Sequence, residues 1–293
     1  MTPYLSDIPD GPSWHDDQIP EFAGPALDAL YGSLYASLPQ LSLGELQGVS
    51  TYADRTAEGL CALFLYTRRG RTARVLNEGM QLSAGTIERF AGLLFERFAD
   101  LARVDFHAVQ CNDPQIAFQA FQACLTCRFT LDEDIVIDLP ASEAAYLADL
   151  GKSTRKTLRQ NLTRAAGLTH AVLPGAAVDA ALVDQIIGFN HARLAARQRR
   201  SALDATAARQ LHTLVSANGM AGIVRMHGQL CAGTLASRVG DDVYSLVNAH
   251  DPAFDSLGMG NLSRHLMIVA AIRSGARRFQ ASPGAANQRV GRR

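Results

Sequence analysis

Apolar and polar positions along this chain recur in two periods, one near two residues and one near three and a half, and the switches between them mark out the elements. The run LCALFLYTRR (residues 60–69) ends at Gly70 and is answered by TARVLNEG (72–79), which predicts a hairpin of two strands. Over residues 86–102 the apolar positions Ile87, Phe90, Leu94, Phe98 and Leu101 follow helical spacing. VDFHAVQC reads as a strand, and PQIAFQAFQACL as a helix opened by Pro114, where a missing N–H is tolerated. CRFTLDEDIVIDLP reads as one or two strands. Between residues 141 and 167, Leu147, Leu150, Leu158, Leu162 and Ala165 share one face if the helix is roughly continuous. Helices over 178–196 and 205–217 then lead into three strands, GIVRMHG, QLCAGTLASRVG and DVYSLVNAHD. Turns at His227–Gly228 and Gly240–Asp241 make those three antiparallel neighbours. A helix over 261–274 and a strand over 277–281 complete an α/β (α+β) pattern of mixed, mostly antiparallel sheets flanked by helices.

Composition divides the chain. Of 293 residues, 47% are hydrophobic and 19% charged, enough apolar content for one large or two modest domains. The net charge of zero hides an asymmetry: residues 1–54 hold eight acidic side chains and no Lys or Arg, which leaves 28 basic against 20 acidic from Arg55 onward. Six of the eleven prolines fall in the first 39 residues. Residues 1–45 therefore read as an acidic, Pro-rich arm with one short helix over 26–37, in which Trp14 either anchors the arm or lies exposed. Residues 46–140 read as a first α/β half and 141–293 as a second. The opening MTPYLSDIPDGPSWHDDQIP lacks the basic start and apolar run of a secretory leader, and no stretch approaches the ~20 apolar residues of a membrane span. Five cysteines are an odd set, which points away from a disulfide framework and towards a reducing cytoplasm, with no membrane insertion.

Candidate chemistry concentrates late in the chain. In DPAFDSLGMGNLSRH a strand ends at His250–Asp251 and a helix opens after Gly258 and Gly260. Glycines at a strand-to-helix turn let backbone N–H groups converge on an anion at the helix N-terminus, an arrangement suited to a pyrophosphate. Gly258, Met259, Gly260 and Asn261 are the candidate donor-binding residues there. Tyr244, His250 and Asp251 are the nearest titratable groups, with His250 the candidate base. Lys152, Arg155, Lys156 and Arg159 follow i, i+3, i+4, i+7 spacing and form a basic stripe, either a solvated face or one facing an anionic ligand. Cys124 and Cys127 make a lone CxxC with no second pair and no His pair nearby, so two packed thiols are the simpler reading and no metal site is expected.

KSTRKTLRQNLTRA (152–165), FNHARLAARQ (189–198), the hairpin GQLCAGTLASRVGDDVYSLVNAHDPAF (228–254) and SLGMGNLSRHLMIVAAIRSGARRF (256–279) together resemble the acetyltransferase domain of CelD-type cellulose-biosynthesis proteins. Those are relatives of the FemXAB aminoacyl transferases in the GNAT superfamily. The resemblance implies tandem GNAT-like halves and an N- or O-acyltransferase that takes acetyl-CoA or another acyl-CoA as co-substrate. It implies an oxyanion donor among the backbone N–H groups of Leu246, Val247 and Asn248. His191 and Arg193, with Arg155 and Arg159, would meet a small-molecule or glycan-precursor acceptor, in a role in exopolysaccharide or envelope synthesis. A sister possibility is an aminoacyl-tRNA donor, the one case in which nucleic acid would be a partner; a non-catalytic GNAT-like scaffold is the other. Two positions depart from the family pattern. Asp255 stands where the phosphate loop commonly has Arg or Gln, and a carboxylate pointing inward there would oppose a phosphate. The ending FQASPGAANQRVGRR lacks the usual Tyr-Lys pair.

Overall fold

The computed structural model describes residues 9–44, 46–110, 135–164 and 167–281. The expected helix over 114–125, the Cys124–Cys127 pair, Ala165 and the chain's last twelve residues lie outside them. The chain forms two units, Met1–Asp132 and Glu133–Arg293.

The first unit is a five-stranded sheet in the order β1-β2-β3-β4-β5, built from Gly11–His15, Val49–Thr56, Gly59–Arg69, Thr72–Val75 and Arg103–Asp105. Its first pairs are antiparallel and β4–β5 is parallel, with helix α3 (Ala84–Arg97) as the crossover. The acidic segment is not an extended arm in its described part. Strand β1 pairs with β2, and α1 (Ala23–Tyr31) buries Ala23, Ala26 and Leu27 against Leu63 and Leu65. A short α2 (Leu38–Leu41) follows. Trp14 anchors this segment: its ring centroid lies 4.7 Å from that of Tyr52 and the Arg97 guanidinium 5.1 Å above it. The charge asymmetry is spent here as well, because Asp16 pairs with Arg97 at 2.6 Å and Asp10 with Arg55 at 3.7 Å. Strand β2 escaped the apolar pattern because its buried positions include Thr51 and Asp54. Each has its own partner, the Gln18 carbonyl accepting from Thr51 Oγ1 (2.7 Å) and Tyr52 Oη donating to Asp54 (3.1 Å).

The second unit is a six-stranded sheet in the order β6-β11-β10-β9-β8-β7. The strands are β6 (Ile135–Asp138), β7 (Leu168–Pro174), β8 (Gly219–Met226), β9 (Gln229–Val239), β10 (Asp242–His250) and β11 (Arg278–Ala281). Only β10–β11 is parallel, and helix α8 (Met259–Arg273) is its crossover. Both units thus run consecutive antiparallel strands into a final parallel pair joined through a helix, the tandem GNAT-like arrangement. Helices α6 (Ala180–Ala195) and α7 (Ala205–Asn218) cover one face through Val183, Ile186 and Val215. Helices α4 (Glu143–Asp149), α5 (Lys152–Arg164) and α8 cover the other.

Two local differences from the sequence reading have clear causes. The 141–167 segment is two helices, because Leu150 is extended (φ −65°, ψ 138°) just before Gly151. The break rotates the second helix, so Leu158 and Asn161 turn inward while Leu162 is 45% exposed. Strand β7 had no apolar signature, since it is an edge strand whose central residues are exposed.

Candidate functional site

The loop after β10 is shaped residue by residue. Pro252–Leu257 winds as a 3₁₀ turn, and the Asp251 carboxylate caps it by accepting from Ala253 N (2.9 Å). Gly258 then adopts the left-handed conformation (φ 65°, ψ 35°) and serves as the N-cap of α8, which no side chain caps. The first N–H groups of a helix have no intrahelical acceptor, so those of Met259 and Gly260 face out of an uncapped N-terminus carrying the positive end of the dipole. The crossover helix of the first unit differs at the same place. There Ser83 Oγ accepts from Thr86 N (3.1 Å) and closes the N-terminus.

Gly260 is small for a reason. A Cβ at that position would lie 2.8 Å from Nδ1 of His250, whose ring therefore rests against the first turn of α8. On its other side the same ring meets Asp255, with Nε2 and Oδ1 2.6 Å apart. The carboxylate that stands where a phosphate loop commonly has Arg or Gln is thus engaged by His250. The pairing favours the tautomer with the proton on Nε2 and leaves Nδ1 with its lone pair when the ring is neutral.

Strand β10 carries a bulge at Leu246, between Ser245↔Ala236 and Val247↔Leu235. A bulge leaves the extra residue out of the ladder and reverses the in–out alternation. That reversal is visible in the packing: Val243 faces α8, whereas Val247 faces α6. The last described pairing of β10 with β11 is Ser245↔Ala281, so Leu246 to His250 run on past it towards the α8 N-terminus. Here a buried polar chain ties sheet to helix. Asn248 donates from Nδ2 to the Gly260 carbonyl (3.0 Å) and accepts from Thr234 Oγ1 (3.2 Å), which also lies 2.8 Å from Ser263 Oγ.

From α6, Arg193 is half-buried, and among the described residues its buried Nε has no hydrogen-bond partner. Burial foremost, then repulsion from Arg197 and Arg264, pulls its pKa below the usual guanidinium value, while Asp255 opposes the shift. Arg193 thus lies within electrostatic reach of the loop.

The structure therefore brings together Leu246, Val247, Asn248, His250, Gly258, Met259, Gly260 and Asn261, with Arg193 and Asp251 at the margin. It does not bring Tyr244 to them. That side chain is buried within the paired part of the sheet, in register with Ser237 and Gln280, and roughly 20 Å along the strand from His250. His191 is tied to the α6–α7 connection, Nε2 lying 2.6 Å from the Leu203 carbonyl, and neighbouring Asn190 accepts from Ser201 Oγ (2.9 Å). Arg155 reaches back to the Ala148 carbonyl (3.4 Å), and Lys152, Lys156 and Arg159 are exposed on α5. Thr234 and Ser263 carried no sequence signal, because they lie 29 residues apart in the chain; Asp255 was marked in the sequence, but its pairing with His250 was not. Among the described residues no group of three or more His, Cys, Asp or Glu is placed to hold a metal ion, and no helix is long and apolar enough to cross a membrane.

Residues 152–288, a little under half the chain, match the acetyltransferase (GNAT) domain family. That match supports a transferase. A search of curated proteins finds no match. Among solved structures the fold is similar to that of FemX, with a TM-score of 0.61 at 12% identity over 92% of this chain and 90% of that one. It is also similar to L-PGS from Bacillus licheniformis, with a TM-score of 0.55 at 13% identity over 92% and 77%. A conserved protein of unknown function from Bacteroides thetaiotaomicron gives a TM-score of 0.53 at 12% identity over 94% and 93%. These likenesses show the fold.

Proposed function

We propose that the second unit transfers an acyl group from a coenzyme A thioester to an amine or hydroxyl of a small-molecule or glycan-precursor acceptor. The observation that carries this reading is the uncapped, glycine-opened N-terminus of α8 lying beside the β10 bulge. The pyrophosphate of the donor fits the N–H groups of Met259 and Gly260. The thioester carbonyl would then lie along β10, where the backbone N–H freed at Leu246, with those of Val247 and Asn248, meets the developing oxyanion. The acceptor attacks the carbonyl carbon, the C–S bond breaks, and the thiolate takes up a proton. His250, held by Asp255, is the group at hand to receive the proton that the acceptor loses. Arg193 would lie on the acceptor side. Such donors are made in the cytoplasm, and the resemblance to CelD-type proteins supports a role in exopolysaccharide or envelope synthesis.

Isothermal calorimetry with acetyl-CoA and CoA tests the donor site. Micromolar binding that is lost in a Gly258→Trp, Gly260→Trp variant of intact fold is the expected result. A well-folded wild type that binds neither ligand refutes the reading. A second reading, an aminoacyl-tRNA donor, is favoured by the likeness to FemX together with the exposed Lys152, Lys156 and Arg159 on α5. It requires tRNA binding that weakens steeply with salt.

A further inference from the structure

Helix α5 turns two side chains inward, Leu158 and Asn161. Leu158 joins the apolar cluster of Val224, Met226, Met259 and Leu262, and an apolar residue one turn further on would extend it. The chain instead places Asn161 there, 6% exposed as a whole residue. A polar group in such a place is costly unless it is hydrogen-bonded. Among the described residues nothing is hydrogen-bonded to it, and no side chain caps α8. Its position shows what it faces. A Cβ on Gly258 would lie 2.5 Å from Asn161 Nδ2, so the amide sits over the left-handed glycine that opens α8.

We propose that Asn161 is a ligand for an anionic phosphate group at the α8 N-terminus, donating from Nδ2 beside the N–H groups of Met259 and Gly260. This rests on the donor-site reading above and adds a residue to it from a different helix. A neutral amide suits the position. It supplies a donor without bringing a second charge into an apolar cluster, and it is short enough to stay over Gly258. The requirement for glycine at 258 then has two sources, the positive φ and the room that Asn161 takes up.

The experiment is calorimetry on the full chain with CoA and, separately, with inorganic pyrophosphate, for wild type, Asn161→Ala and Asn161→Asp. Thermal midpoints are measured on the same samples, and Asn161→Ser stands in should the Ala variant fold poorly. Loss of a hydrogen bond to a charged group weakens binding of both probes about ten-fold or more in Asn161→Ala. Asn161→Asp weakens it at least a further ten-fold, while its thermal midpoint equals or exceeds that of Asn161→Ala, since a carboxylate is welcome at a helix N-terminus. A merely structural role predicts that binding and midpoint move together. An Asp variant that binds like wild type overturns the proposal. Pyrophosphate binding without CoA binding removes the coenzyme A reading and leaves Asn161 to be judged on pyrophosphate. Binding of neither probe by folded wild type removes both.

Discussion

Replacing Gly258 with alanine tests the local geometry in the absence of any ligand. Two costs follow from the structure. The residue sits at φ 65°, which disfavours any side chain by about 1–2 kcal/mol. The new Cβ would also come within 2.5 Å of Asn161 Nδ2, tight enough that the carboxamide must move, and overpacking of this kind typically adds about 1–3 kcal/mol. Gly258→Ala should therefore destabilise the second unit by about 2–5 kcal/mol in the wild-type background. In an Asn161→Ala background only the backbone cost remains, so the two substitutions should couple by the overpacking cost of about 1–3 kcal/mol, beyond the ~0.5 kcal/mol within which independent sites add. Urea unfolding measures it. Trp14 is the only tryptophan and belongs to the first unit, so its fluorescence reports that unit while far-UV circular dichroism also follows the second. The effect should appear in the dichroism transition. Additivity within ~0.5 kcal/mol would refute the placement of Asn161 over Gly258.

Three further outcomes are expected. Thr234→Val keeps the shape but strands Asn248 and Ser263 in a buried polar chain, so it should cost about 1–3 kcal/mol in denaturant unfolding and weaken CoA binding. In the first unit Ser83→Ala removes the cap of α3 and should cost about 1 kcal/mol, seen by Trp14 fluorescence, with CoA affinity unchanged. His265 is buried, stacked on Tyr146 with ring centroids 5.7 Å apart, and its Nδ1 has no partner among the described residues. Burial lowers its pKa against a smaller opposing pull from Glu143. A folded-state pKa below the unfolded one means the unfolded chain takes up the proton first. Stability is then full above about pH 6.5 and falls as the pH drops below it. His265→Phe should flatten that slope in unfolding experiments between pH 7.5 and 5.5.

The second half of the fold was legible because its apolar periods are clean. The three strands from 219 to 250, the crossover helix and the final strand all follow from alternation and glycine turns. Strands β1, β2 and β7 were not legible. The first two carry polar residues whose partners come from elsewhere in the unit, such as Thr51 with Gln18, and β7 is an exposed edge with no buried face to reveal it. The glycine turn that opens α8 was readable, since the left-handed conformation at Gly258 favours glycine. The His250–Asp255 pair was not, although the two residues are five apart, because a 3₁₀ turn rather than a strand or helix brings them together.

By itself, then, the sequence determined the order of elements from residue 178 onward and the opening of α8, because hydrophobic period and glycine conformation are local properties. Tertiary structure decided which polar residues serve that opening. Asn161 arrives from a helix whose inward face depends on the break at Leu150, and Leu246 leaves the ladder only because β9 and β10 slip by one residue. Thr234 and Ser263 meet because an antiparallel strand and a crossover helix pack face to face. Contacts of this kind are set by rotation, register and packing over long sequence separations, and periodicity along the chain carries no record of them.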